Sequence, residues 1–242
     1  MGDDEIAEVI SRLEGDGSES VVVDKDVLAL NEYVLYPPRY LGRDIAMVNA
    51  TPLGKLAEIE RGTSLNAKEL DSLTTDEDTG VCFLRLSDIS DGIVSRDLPH
   101  LRSLDEKARA KCLRTGDLVL SKNGAPFKVA VVDVPEGQTI LANGNLYIVR
   151  LDAGKIDPYF VAAFLSSEDG KDSLCGLVVG TTLPNLPLKN LKEMNVPVPP
   201  RADQKAVADI YRARLDEVEV GRIRIKKALL GASTAYDEVM AR

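Results

Sequence analysis

Few residues of this 242-residue chain have the types and spacing that covalent or metal chemistry requires. The one histidine, His100, has no second histidine with which to form a zinc site and no partner pattern for a His-based catalytic triad. The cysteines Cys82, Cys112 and Cys175 form no CxxC pair, and this odd, scattered set is typical of small buried residues in a reducing compartment. The sequence therefore predicts no metal site and no cofactor.

Two short motifs resemble cofactor or catalytic sites but lack the residues that such sites need. In LYPPRY, Tyr36 precedes the paired prolines and Arg39 follows them, whereas an adenine methyltransferase needs Asn or Asp before the prolines and an aromatic residue after them. The Gly15–Gly17 segment follows a helical pattern and lacks the strand, turn and helix of a dinucleotide loop. We predict no S-adenosylmethionine site and no catalytic residues.

The net charge of −9 is unevenly distributed along the chain. Residues 1–110 carry 12 basic and 23 acidic side chains, whereas residues 111–242 carry 18 basic and 16 acidic ones. The second half can therefore still form a surface that faces DNA. There is no apolar run of roughly 20 residues and the first residues are acidic, so we expect a cytoplasmic protein.

The hydrophobic pattern divides the chain into three parts. Residues 1–46 are a lead-in, in which residues 3–13 show the spacing of a short amphipathic helix and Val21–Val23 are typical of a strand. Residues 47–200 predict a mixed α/β domain, with helices at Leu104–Lys111 and Pro158–Ser166. Its β-branched runs predict five strands: Val81–Ser87, Leu118–Ser121, Phe127–Val134, Thr139–Leu141 and Asn145–Leu151.

Residues 201–242 form the clearest periodic segment and predict one long helix from Ala202 onward. Apolar residues recur every seven positions in two series, which start at Ala208 and Tyr211 and mark the a and d positions of a coiled coil. The candidate helix-pairing residues are Tyr211, Leu215, Val218, Arg222, Ile225, Leu229 and Tyr236. Two interpretations remain open, because the helix could pair with a second helix or pack only on its own domain.

Three sequence blocks, taken in this order, resemble a target-recognition domain of type I restriction-modification specificity subunits. The blocks are PLGKLAEIERGTSL (52–65), RTGDLVLSKNG (114–124) and GTTLPNLPLKNLKEMNVPVPPRADQ (180–204), and the resemblance covers Thr51 to Arg242. In the lead-in, EYVLYPPRYL (32–41) resembles the end of an adenine-specific DNA methyltransferase just before a fused recognition domain.

The resemblance implies a non-catalytic DNA-recognition module with a curved-sheet domain and a long spacer helix. It also implies that a partner adenine-specific methyltransferase carries the chemistry, with or without an associated nuclease. A typical specificity subunit has two recognition domains, whereas this chain has one and shows no internal repeat. It therefore resembles a half-subunit, which could form a homodimer or pair with a second half through its C-terminal helix.

The resemblance directs attention to polar loop residues that follow or precede strands, since such side chains can reach base edges or phosphates. The candidate DNA-binding residues are Arg61, Thr63, Arg85, Lys122, Asn123, Lys128, Asn143, Asn145, Thr181, Thr182 and Asn185. Structural explanations compete with this role. The Asn143-Gly144 pair also predicts a hairpin turn, and Lys122 and Lys128 could simply face solvent.

Two other features leave a functional and a structural interpretation open. Gly116-Asp117 predicts a turn in which the carboxylate accepts backbone N–H groups. The cluster Arg222, Arg224, Lys226 and Lys227 could be a solvated helix face or a strip that follows phosphates. For the whole chain, the alternative to DNA recognition is a protein-interaction scaffold that docks to a methyltransferase through its helix without binding DNA.

Overall fold

The computed structural model describes Lys25 and residues 49–124, 126–180 and 184–240, with only the backbone described at 234–239. It confirms the expected mixed α/β fold followed by a long C-terminal helix. The strands are β1 (Thr51–Pro52), β2 (Ala57–Arg61), β3 (Thr74–Thr75), β4 (Val81–Leu84), β5 (Ile89–Ser90), β6 (Ile93–Val94), β7 (His100–Leu101), β8 (Leu118–Ser121), β9 (Val129–Val131), β10 (Thr139–Ala142), β11 (Leu146–Leu151) and β12 (Asn195–Val196). The helices are α1 (Leu53–Leu56), α2 (Ala67–Leu73), α3 (Glu106–Arg109), α4 (Pro158–Ser166), α5 (Glu168–Gly176), α6 (Leu188–Glu193) and α7 (Arg201–Met240), with a 3-10 turn at Leu86–Asp88.

The first sheet has the antiparallel order β2-β11-β8-β9, and its strands β8, β9 and β11 are buried on both faces. Successive side chains of a strand point to opposite faces, so β8 sends Leu118 and Leu120 into one core cluster and Val119 into another. The first cluster also contains Phe160 of α4, while the second contains Ile140 of β10. Burial on both faces explains why these strands have continuous apolar runs instead of alternating patterns.

The second sheet, β10-β4-β7-β3, packs beside the first and contains one parallel pair, β10 with β4. The short β1–β12 pair joins the start of the domain to the segment that leads into α7, with Thr51 opposite Val196. The backbone N–H of Leu53 also donates to the Met194 carbonyl, at 2.8 Å. The entry to the domain and the base of the long helix are thereby held together.

Several predicted elements agree with the structure, and others are shorter than expected. Leu118–Ser121 and Pro158–Ser166 have the predicted bounds. The strand predicted at Val81–Ser87 ends at Leu84, because the Asp88 carboxylate accepts the Arg85 backbone N–H at 2.8 Å and closes the 3-10 turn. The predicted Phe127–Val134 strand shrinks to Val129–Val131, and the predicted Leu104–Lys111 helix to Glu106–Arg109.

Helices α2 and α5 are absent from the sequence-based prediction. Both begin with a capping side chain: Asn66 accepts the Glu69 N–H at 2.9 Å, and Ser167 accepts the Gly170 N–H at 3.2 Å. The helix expected at residues 3–13 and the strand at Val21–Val23 lie outside the described residues. Within the part of the chain that is described, no helix is long and apolar enough to cross a membrane.

The predicted turn at Gly116-Asp117 is confirmed, and its carboxylate has a second role. Asp117 is buried and accepts the Arg114 backbone N–H at 2.9 Å, as expected of a turn residue. It also accepts two hydrogen bonds from the Arg150 guanidinium, at 2.7 and 2.9 Å, which raises the pKa of Arg150. This pair joins the turn before β8 to the neighbouring strand β11.

Candidate nucleic-acid interface

Four loops meet at one end of the first sheet and form what we call the loop surface: residues 61–64, 122–124, 143–145 and 184–186. Strand β2 ends at Arg61, β8 ends at Ser121 and β11 begins at Leu146. Because β11 is antiparallel to both neighbours, the end of β2, the end of β8 and the start of β11 lie at the same end of the sheet. The sheet thus brings together segments that are up to 125 residues apart in sequence.

Backbone hydrogen bonds hold these loops to one another. Thr63 N–H donates to the Ala142 carbonyl at 2.8 Å, and Lys122 N–H donates to the Asn145 carbonyl at 2.8 Å. The Lys122 carbonyl accepts the Leu186 N–H at 2.9 Å, so residue 122 is bonded to two other loops. Polar side chains on the loop surface therefore start from a fixed backbone, which reduces the entropy lost on binding.

Two glycines allow the loops to approach closely. A Cβ at Gly62 would lie 2.7 Å from the Ala142 carbonyl oxygen and nearer still to that of Asn143. A Cβ at Gly144 would lie 3.1 Å from the backbone N of Ser64. The sequence assigns Gly144 only to a turn and does not single out Gly62 or Ser64. The signal for these positions is a glycine beside polar residues.

The candidate residues Arg61, Asn143 and Asn145 support the turn between β10 and β11. Arg61 is exposed, and its Nε donates to the Gly144 carbonyl at 2.6 Å. Asn143 Oδ1 accepts the Asn145 N–H at 2.8 Å, which is the local bond of an Asx turn. The predicted hairpin is wrong, because β10 pairs with β4 in the second sheet and β11 lies in the first.

The side chains of Lys122, Asn123, Asn145 and Asn185 are the most available donors and acceptors of the loop surface. Asn145 is exposed and the other three are half-buried. Asn123 and Asn185 are paired through their backbones, which sets their side chains close together. Within the described chain these four side chains form no hydrogen bond, whereas the buried Thr63 hydroxyl is an unpartnered group inside the loop surface.

Arg85 and Lys128 lie near the loop surface but already have partners within the protein. The Arg85 guanidinium is paired with Asp88 at 2.9 Å. Lys128 Nζ donates to the Leu86 and Ile89 carbonyls at 3.0 and 2.8 Å, around the 3-10 turn. In this structure both cations stabilise that turn. Thr181 and Thr182, the remaining candidates, lie outside the described residues.

Helix α7 packs one face against its own domain. Its base is fixed by the buried Gln204, whose Oε1 accepts the Asp157 N–H at 3.1 Å and whose Nε2 donates to the Pro199 carbonyl at 2.8 Å. One turn later Ala208 is buried, and Tyr211 Oη lies 3.1 Å from Ser166 Oγ of α4. The helix therefore leaves the domain in a defined direction.

Further along, the β5–β6 hairpin contacts the same face of α7, and we call this contact the hairpin latch. The hairpin turns at Asp91-Gly92, where both residues have positive φ (48° and 80°), as a type I′ turn requires. A Cβ at Gly92 would lie 3.0 Å from Leu215 Cδ2, so the hairpin tip fits closely on the helix. Arg222 donates to Ser90 Oγ at 2.7 Å and pairs with Asp91.

Two further ion pairs extend the latch, from Glu219 to Arg96 at 2.7 Å and from Lys226 to Asp97 at 3.5 Å. The hydrogen bond and the charge of Arg222 lower the pKa of Asp91. Arg222 and Lys226 thus have carboxylate partners in the domain. From the sequence, the basic cluster could be either a solvated helix face or a strip that follows phosphates. In the structure, two of its members, Arg222 and Lys226, form ion pairs with the latch instead.

The candidate helix-pairing residues differ in their exposure along α7. Tyr211, Leu215 and Arg222 lie against the chain's own domain, as described above. Val218, Ile225 and Leu229 are 38%, 62% and 66% exposed. The side chain of Tyr236 lies outside the described part of the structure. Both interpretations of the tail therefore have a physical basis, because some of these residues pack on the domain and others stay exposed to a second helix.

A family model for the type I restriction modification DNA specificity domain matches residues 48–229. This match covers most of the chain, and the chain belongs to this family. The family consists of non-catalytic DNA-recognition modules. The specificity subunit of the type I restriction enzyme MjaVIII from Methanocaldococcus jannaschii is 29% identical over 115 residues, which are 46% of this chain and 27% of that protein.

Solved structures agree at the level of the fold. A structure described as showing complex assembly and conformational transition of the type I R-M system matches with a TM-score of 0.51 and 19% identity, over 98% of this chain and 53% of the other. The type I restriction-modification S subunit from M. genitalium matches with a TM-score of 0.50 and 17% identity, over 77% of this chain and 45% of that subunit. The chain spans about half the length of these two structures.

We predict that Gly62→Ala destabilises the protein by about 1 to 3 kcal/mol, because the added methyl group must push the 143–145 loop away. Thermal and urea denaturation measure this change. Gly176→Ala is the matched control, since a Cβ there meets no atom within 4 Å at the end of α5. Equal stability of the two variants would contradict the close approach of the loops.

We predict that Arg222→Gln loosens the docking of α7 on the domain more than Arg224→Gln does. Arg224→Gln is the matched control, because Arg224 is exposed on another face of the same helix. The latch is solvent-exposed, so the difference in unfolding free energy should not exceed about 1 kcal/mol. Hydrogen exchange of α7 amides beyond Leu215 is the more sensitive measurement.

The effect of Arg222→Gln should depend on pH. The pKa of Asp91 is lower in the folded chain than its ordinary value of about 3.9. The contribution of this carboxylate is therefore complete above the ordinary value and is lost as the pH falls through the lowered one. The wild type and Arg222→Gln should converge in that acidic range, and a constant difference there would argue against the Asp91 pair.

Proposed function

We propose that this chain is the DNA sequence-recognition module of a type I-like restriction-modification system, with the loop surface facing the duplex. The observation that carries this proposal is the convergence of Arg61, Lys122, Asn123, Asn145 and Asn185 on four hydrogen-bonded loops. Family membership supports the same role. The chain supplies recognition, and other polypeptides or domains supply the chemistry.

The residue types at the loop surface suit both parts of DNA recognition. An asparagine amide can form two hydrogen bonds with adenine N6 and N7 in the major groove, so Asn123, Asn145 and Asn185 are the proposed base-reading residues. Cations bind phosphates and fix the position of the protein without reading sequence, which is the role proposed for Lys122 and Arg61.

We further propose that the module directs a partner adenine-N6 methyltransferase, and where present a nuclease, to its target site. The partner would extrude and modify an adenine near the bases that the loop surface reads. Membership of the type I specificity family supports such a partner, and the curated relative is the specificity subunit of a restriction enzyme. The partial resemblance of residues 32–41 to a methyltransferase end lies outside the described residues.

The outer stripe of α7 is the proposed surface for a second recognition half, either another copy of this chain or a related half-subunit. Val207, Ile210, Val218, Ile225 and Leu229 are all exposed. At 100° per residue they fall within an arc of about 100°, beside the face that packs on the domain. A symmetric pair of copies would place two loop surfaces on a symmetric DNA site.

The alternative function is a scaffold that never contacts DNA. The observation in its favour is that Arg85 and Lys128 already have partners within the protein, which leaves fewer cations for DNA phosphates. The two functions differ in their response to salt. Binding to phosphates releases counterions, so the logarithm of DNA affinity falls linearly with the logarithm of salt concentration. A scaffold has no such dependence.

We predict that Lys122→Ala weakens binding to all duplex DNA and reduces the salt slope by about 1. Fluorescence anisotropy on random-sequence duplexes at several salt concentrations measures both effects. Lys55→Ala is the matched control, because Lys55 is exposed on α1, next to the opposite end of β2. This variant removes the same charge at the end of the sheet opposite the loop surface, so the salt slope should stay unchanged.

The same titration separates the two functions. Equal slopes for Lys122→Ala and wild type would remove Lys122 from the interface. Binding of wild type that is absent or independent of salt would instead favour the scaffold and contradict the proposed function.

We predict that Ile225→Glu abolishes pairing through α7, because it buries a charge in the proposed helix contact. Size-exclusion chromatography with light scattering measures the association. Ile223→Glu is the matched control, since Ile223 is 49% exposed but lies on a different side of the helix. If both variants keep the oligomeric state of wild type, this stripe is not the pairing surface.

A further inference from the structure

A groove opens beside the loop surface, between α2 and α3. It has a volume of about 580 Å³, and Thr63 and Ser64 of the loop surface form part of its wall. Its lining combines apolar residues, among them Leu65, Leu104 and Leu141, with the cations Lys107 and Lys111. The groove is thus a lateral continuation of the proposed DNA-facing surface, and none of the candidate DNA contacts apart from Thr63 lies in it.

Among the described residues, no carboxylate lies within ion-pair distance of Lys107 or Lys111, whereas cations such as Arg85, Arg150 and Arg222 are engaged in ion pairs. Lys107 on α3 and Lys111 in the turn that follows it both line the groove, so the two side chains share one surface. Lys107 is exposed and Lys111 is half-buried.

Two carboxylates also line the groove, but each already accepts a backbone hydrogen bond at a helix start. Glu69 Oε2 accepts the Asn66 N–H at 2.9 Å, and Asp105 Oδ1 accepts the Ala108 N–H at 2.6 Å. These bonds hold the two carboxylates at the starts of α2 and α3, and neither forms an ion pair with Lys107 or Lys111. Both ammonium groups can therefore still pair with an external anion.

We propose that this groove binds the sugar-phosphate backbone of the DNA duplex beside the bases that the loop surface reads. Lys107 and Lys111 contact phosphates, the hydroxyls of Ser64 and Ser103 donate further hydrogen bonds, and the leucine side takes up the sugars. Two neighbouring cations along an open groove suit a chain of phosphates better than a single small anion. This inference rests on the proposed function and adds a second line of contacts to it.

The test compares wild type with the double variant Lys107→Ala/Lys111→Ala on random-sequence duplexes across a series of salt concentrations. The matched control is Lys55→Ala/Lys192→Ala, which removes two exposed charges from α1 and α6, at the start of β2 and away from the loop surface. Thermal denaturation checks folding, and Lys107→Gln/Lys111→Gln replaces the alanine pair if the latter melts lower than wild type.

We expect the salt slope of the Lys107/Lys111 variant to fall by about 2 and its affinity at low salt to fall at least about tenfold, with unchanged sequence preference. A slope equal to wild type, while Lys122→Ala still lowers it, would overturn the groove contact and leave the proposed function intact. Wild type that shows no salt-dependent DNA binding would overturn both. An equal loss in the control pair would also overturn the assignment, because it would show a general charge effect.

Discussion

The antiparallel pairing of β11 with β2 and β8 decides where the candidate recognition residues lie. This pairing brings the ends of three strands to one edge, and the loops beyond them bond to each other through Lys122, Asn145 and Leu186. Gly62 and Gly144 permit the close approach, since a side chain at either position would collide with the opposite loop. Polar side chains held in this way can distinguish bases without first paying for loop ordering.

The same domain also fixes the long helix. Gln204 holds the start of α7, and the hairpin latch holds it about five turns later through Arg222. The direction of the helix relative to the loop surface is therefore set by two separated contacts. A second half docked on the outer stripe would stand at a defined distance from the first, which is what reading a two-part DNA site requires.

The sequence predicted the parts of this arrangement that depend on local pattern. Leu118–Ser121 and Pro158–Ser166 are recognisable from β-branched content and from a first-turn proline. Lys122 and Asn145 could be selected because they lie at the ends of predicted strands, and Arg61 because it lies in the first of the three sequence blocks. Contacts between distant segments could not be read in this way. Lys128 donates to the Leu86 and Ile89 carbonyls only because the 3-10 turn places them beside it. Arg222 pairs with Asp91, which is 131 residues away in sequence.

The most direct test of the account is a map of N6-methyladenine in the strain that carries this gene, compared with a strain that lacks it. The account predicts that methylation disappears from one sequence motif and persists at all others. Complementation with Asn123→Ala should then fail to restore that motif or should alter it. An adenine methylome that is unchanged when the gene is removed would contradict the claim that this chain selects the DNA site.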